Sequence, residues 1–323
     1  MNEKLEILKM VASGEISPEE ALNLIEAVDQ TEKITLTKEV DEVETEEASG
    51  YNGTIDNVKR FKVALIASRI NFEKSNVDDV TIEILDGETR ALMPKPDWLI
   101  FSEEGDLITI KEKRPQGVND LIEFIKNSAQ ILKQKLFINI KLPMSTVIGE
   151  AEVSCVSGNI SLIGISGYDF NLKNVSGNIQ IAQVKASRLT VNATSGTIVV
   201  DDVTCSQGSY TATSGKIKVK GKHNKIHLNN VSGTIDYTEL GDVKIVNGQL
   251  VSGKMMVYVP KPEKYDLSIE AVTGSIDPSG FGVVNKEMSG RKRVVQQGKS
   301  DDYKIRLKAI SGEILLDSSE HGL

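Results

Sequence analysis

The sequence predicts a mainly β chain: a β-solenoid of stacked coils of about 19 residues, preceded by a small α-helical hairpin. Three observations carry this. A motif of a β-branched residue, Ser or Thr, Gly, any residue and then Ile or Met recurs eight times. The apolar alternation slips by one residue at the Ser-Gly step. The 323 residues include 26 Gly but only 5% aromatics, which suits thin β layers better than one bulky core.

Residues 1–29 read as the helical hairpin. Leu5, Leu8, Val11 and Ala12 follow helical spacing, and Gly14 takes the usual place after a helix end. Ser17-Pro18-Glu19-Glu20 is a capping box with Pro at the first helical position. Ala21, Leu22, Leu24, Ile25 and Val28 form the apolar side of the second helix. So short a segment cannot bury these faces internally. Leu5, Leu8, Val11, Leu22, Leu24 and Ile25 are therefore the candidate surface for self-association or for a protein partner.

Residues 30–50 read as a flexible acidic linker. Residues 1–50 hold 14 acidic and 4 basic residues, while the remainder holds 32 and 34, so the net charge of −8 belongs to the first fifty. A balanced remainder argues against nucleic-acid binding.

Residues 51–323 read as the solenoid: irregular capping coils with one helix over 51–150, then regular repeats over 151–323. In the irregular part, Val118, Leu121, Ile122, Ile125, Ala129 and Leu132 mark the helix. In the regular part the motif glycines are Gly158, Gly177, Gly196, Gly215, Gly233, Gly253, Gly274 and Gly312. Seven and five residues before Gly most copies are apolar, as at Leu189 and Val191; after Gly the apolar offsets are two and four, as at Ile198 and Val200. A slip of one turns a straight strand inside out, so the chain must bend at Gly. Each repeat is two short strands around a corner plus a variable connector. Residues 278–304 depart from the pattern and are expected to replace one coil near the C-terminal end.

Chemistry is sparse. The serines before the glycines read as turn residues whose hydroxyls bond backbone, not as nucleophiles. His223 and His227 are four apart but lie on a connector and a strand, so no zinc pair is expected. No phosphate-binding loop occurs. Acid pairs such as Asp201-Asp202 lack the aromatic platforms of a sugar-cleaving site, with Trp98 the sole Trp. Catalytic residues, metal and cofactor are all expected to be none. Residues 286–308 hold eight basic against three acidic side chains. Arg291, Lys292, Arg293, Lys304 and Arg306 form the candidate basic patch, for an acidic partner or an anionic membrane surface. Cys155 and Cys205 suit a reducing compartment. With no signal peptide or membrane-spanning run visible, a cytoplasmic chain, or one peripheral to the membrane, is expected.

The Ser-Gly-x-Ile coils, with Leu142-Pro143 and its echo Val259-Pro260, are similar to the bacterial putative-adhesin family of unknown function. Gly14-Glu15-Ile16-Ser17-Pro18-Glu19-Glu20-Ala21 resembles the short helical (SHOCT-like) domain placed before it in YvlB-like and LiaX-like proteins of Gram-positive bacteria. The resemblance implies a part in the cell-envelope stress response, including antimicrobial-peptide resistance, and brings no catalytic residues. The expected function is a non-enzymatic scaffold or binding protein of that response. The alternatives are a surface adhesin or a β-helix enzyme acting on envelope polysaccharide.

Overall fold

The structure is a computed structural model that describes residues 60–112, 136–282, 287–289, 292–300 and 302–318. The expected hairpin, acidic linker and amphipathic helix lie outside the described residues. Apart from one short 3-10 turn at Ser279–Phe281, every regular element described is a β-strand of one curled sheet.

The regular coils begin with β7 (Ile148–Ser157) and β8 (Ile160–Ile163), then β9 (Ser166–Ser176) and β10 (Ile179–Ala182). The next strand, β11 (Lys185–Glu239), runs through three corners, and β12 (Ile245–Val259) adds another. Successive coils pair in parallel, with Ile160, Ile179 and Ile198 in one row and Ala151, Phe170 and Leu189 in another. Identical offsets therefore stack, and all six of these side chains are 0% exposed. Burying one such aliphatic side chain contributes roughly 1.5–3 kcal/mol, so each coil gains only in company with its neighbours.

The bend falls where the phase slip puts it. Gly177, Gly196, Gly215, Gly233, Gly253 and Gly274 have φ between 121° and 136°. A Cβ at Gly196 would also stand 2.0 Å from the Gly177 carbonyl oxygen. Glycine is thus required both by backbone conformation and by the close approach of the coil beside it.

The connector is more ordered than a variable loop. Ile165, Val184 and Val203, seven residues after their glycines, are buried and close the third side of the core. Gly164, Gln183 and Asp202, one residue earlier, share a left-handed backbone with φ of 65°, 55° and 51°. Backbone bonds continue across them: Gly164 N donates to Ala182 O at 2.9 Å, and Gln183 N to Asp201 O at 3.0 Å.

Stacking order departs from chain order at both ends. The first coil, β1 (Arg60–Leu65) and β2 (Arg69–Ser75), is interior. It lies between β7–β8 on one side and β5 (Leu107–Glu112) with β6 (Leu136–Pro143) on the other. The last strand, β16 (Lys304–Ser318), inserts between β12 and β13 (Asp266–Asp277). The residues between Gly274 and Gly312 therefore do not replace a coil. Their strands β14 (Glu287–Ser289) and β15 (Lys292–Gln297) continue the sheet antiparallel beyond β13, and the chain then returns to its inner side. Antiparallel strands also cover the other end, β3 (Thr81–Asp86) on β6 and β4 (Leu99–Glu104) on β5. Such strands break the repeating parallel edge, which would otherwise template further pairing.

Candidate functional site

Strand alternation turns every second residue before the corner outward. The row eight before Gly reads Lys225, Ile245, Lys304, Asp266 across β11, β12, β16 and β13. The row six before reads His227, Asn247, Arg306, Ser268, and the row four before reads Asn229, Gln249, Lys308, Glu270. Asn247 on β12 thus lies between the longer His227 and Arg306, and Gln249 between the shorter Asn229 and the longer Lys308. The result is a groove of about 370 Å³ lined by His227, Asn247, Gly248, Gln249, Arg306 and Lys308. Asn247 Nδ2 lies 3.3 Å from His227 Nδ1. On the far wall Arg306 bonds the Asp266 carboxylate at 2.5 Å and its carbonyl at 3.1 Å, and Lys308 lies 3.6 Å from Glu270. These acids sit outside the groove and hold both cations at its rim.

Of the expected basic patch, Lys304 and Arg306 stand two apart on β16 and share its outer face. Arg293 lies on β15 opposite Ala271, which puts it on the other face of the sheet from Arg306. Lys292 opposes Ser289 at the start of β15, and Arg291 lies outside the described residues. The expected partner surface of Leu5, Leu8, Val11, Leu22, Leu24 and Ile25 also lies outside them. The corner serines are exposed; Thr273, at the same offset, donates its hydroxyl to Ile310 O at 3.1 Å. His223 is buried and His227 exposed, so the two do not share a site.

Sequence reasoning missed a buried polar network. Tyr210 Oη lies 3.0 Å from His223 Nε2, and His223 Nδ1 lies 3.3 Å from Glu239 Oε2. The Glu239 carboxylate also accepts the His223 backbone N–H at 3.1 Å, the Gly241 N–H at 2.9 Å and the Tyr237 hydroxyl. All four side chains belong to residues at most 2% exposed. Burial, with the Glu239 charge beside it, pushes the Tyr237 phenol well above its ordinary range; burial does the same for Tyr210. Glu239 takes the place of backbone acceptors where the glycine spacing shortens to 18, between Gly215 and Gly233. The signal was available in the phase. Tyr210 and Tyr237 occupy inward offsets that other coils fill mostly with aliphatics.

A second buried acid supports a corner that, alone among the described residues, is built without glycine. Glu112 Oε2 accepts Ile66 N and Oε1 accepts the Ser68 hydroxyl, both at 2.8 Å. Burial raises its carboxyl despite these donors. Nearby, burial and the Glu112 charge push the Cys155 thiol up to about 12, and burial pushes Cys205 to about 11. Neither thiol is activated as a nucleophile.

The chain matches two family models: one described as Toastrack DUF4097 over residues 58–317, and one described as a SHOCT-like domain over residues 2–33. No curated protein matches it. Among solved structures it is similar to a protein from Clostridium sporogenes described as a putative cell adhesion protein. That match has 12% identity over 81% of this chain and 93% of the other. Its TM-score is 0.23. No described helix is long and apolar enough to cross a membrane.

Proposed function

The chain belongs to the Toastrack DUF4097 family, and from that premise we propose a non-enzymatic scaffold or binding protein of the bacterial cell-envelope stress response. The coils are the scaffold, a β-solenoid over residues 51–323. Residues 1–29, which the SHOCT-like match covers from residue 2 onward, form a helical hairpin that self-associates or binds a protein partner, and residues 30–50 are its acidic tether. The chain works in the cytoplasm or at the inner membrane surface.

One observation carries the non-enzymatic part. The constellation with the residue types of a catalytic triad, Tyr210, His223 and Glu239, is buried and engaged in its own hydrogen bonds. A catalytic group must reach a substrate proton. These groups hold connectors together instead.

Light scattering on the full chain and on a Leu8→Glu, Leu24→Glu double variant tests the hairpin. An unpaired carboxylate in an apolar seam costs several kcal/mol. The variant should lose oligomers while keeping its melting temperature. A wild type that is already monomeric and binds no protein through residues 1–29 would overturn this reading.

A further inference from the structure

We propose that the groove over β11, β12 and β16 binds a stretch of an anionic glycan, a polysaccharide bearing carboxylate or phosphate groups. The inference rests on reading the chain as a binding protein but not on the hairpin. The walls, His227 on β11 and Arg306 with Lys308 on β16, are two strand spacings apart, about 10 Å. The groove therefore runs along β12 and is one polymer chain wide. Its 370 Å³ is the space of about a dozen waters, more than a single ion needs.

The lining selects the chemistry. Asn247 and Gln249 project from alternate positions of the floor, roughly 7 Å apart along the strand. Each side-chain amide offers both donors and an acceptor, which matches sugar hydroxyls that do both. No hydrogen bond engages the Gln249 side chain among the described residues. Arg306 and Lys308 are the charged groups of the lining, and both are cations. Each is paired, with Asp266 and Glu270 respectively, and it is their remaining N–H donors that supply the match to an anionic substituent. A single-stranded nucleic acid calls for aromatic stacking platforms, and His227 is the only ring in the lining. A membrane surface calls for apolar side chains on the same face, where the three rows above offer Ile245 alone.

Native electrophoresis of the full chain through gels containing polygalacturonate, neutral dextran or polyphosphate tests the proposal, with phosphatidylglycerol vesicle sedimentation alongside. Polygalacturonate should retard the chain and dextran should not. Lys308→Gln and Gln249→Leu, both exposed substitutions, should each weaken polygalacturonate retardation about tenfold, the loss of one charge-assisted or buried hydrogen bond. Binding to dextran as strong as to polygalacturonate would overturn it. So would polyphosphate binding that is equally strong and indifferent to Gln249→Leu, sedimentation with vesicles in place of glycan binding, or absence of retardation in every gel. The Leu8→Glu, Leu24→Glu variant should keep its retardation, so the groove and the hairpin can fail separately.

Discussion

Gly312 stacks directly against Gly274, although 38 residues separate them in the chain: a Cβ on Gly274 would lie 1.8 Å from the Gly312 carbonyl oxygen. Gly312 in turn packs on Gly253, where its own Cβ would meet the carbonyl oxygen at 2.3 Å. From Gly158 to Gly274 the corner is thus one uninterrupted file of glycines, built from segments taken out of chain order.

That file predicts a sharp contrast between glycines. Gly196→Val places a β-branched side chain at φ 132° and against backbone 2.0 Å away. It should cost more than about 3 kcal/mol in denaturant titration. Gly105→Ala, at φ 62° with open space around it, should cost only about 1 kcal/mol. Equal losses at both sites would show that close approach contributes nothing.

The connectors predict a gain. Gln183 holds a left-handed backbone at φ 55°, the conformation that Gly164 adopts one coil away. Gln183→Gly should stabilise by about 0.5–1 kcal/mol, since the penalty of a non-glycine residue there exceeds the added freedom of the unfolded chain. A lower melting temperature would contradict this.

Glu239 predicts a large loss. Glu239→Ala leaves the buried His223 N–H and Tyr237 hydroxyl, and the half-buried Gly241 N–H, without their acceptor, at a cost of about 3 kcal/mol or more. Glu239→Gln, which keeps two acceptor lone pairs, should lose less. Chemical denaturation of the three proteins checks the order.

Alkaline pH should unfold the chain. Folded Cys155 and Cys205 hold their protons to about 12 and about 11, against an ordinary 9.0, and Tyr210 and Tyr237 are also raised. Above pH 9 the unfolded chain loses protons that the folded chain keeps, so stability is full below that pH and falls as pH rises. Melting temperature followed from pH 7 to 11 should decline from about pH 9. A thiol reagent at pH 8 should modify both cysteines only at the unfolding rate.

The repeat made the inward and outward positions legible, together with the corner at Gly and the bend it requires. It could not convey stacking order. The strand that carries Leu307 and Ala309 offers the same offsets as those carrying Leu250 or Ala271, so any pairing among them satisfies the pattern. The groove was hidden for the same reason, because Arg306 stands beside Asn247 only once β16 inserts next to β12. Reading residues 286–308 as a linear cluster joined Arg293 to Arg306 across two faces of the sheet. The Glu239 network escaped because its members sit up to 29 residues apart, partly on connectors whose lengths vary.

The interior placement of the first and last coils bears on how the fold answers a pulling force. A strand at the rim of a sheet can be peeled away one hydrogen bond at a time along a single ladder. Here a load applied at Arg60 meets a strand gripped by partners on both flanks at once, and one applied at Ser318 does so from Leu315 inward. Two ladders must give way together before β1 or the body of β16 comes loose, and the antiparallel strands at the rims are bypassed. Tension delivered through the ends of this region is borne by its best-bonded turns, the property of a mechanical clamp.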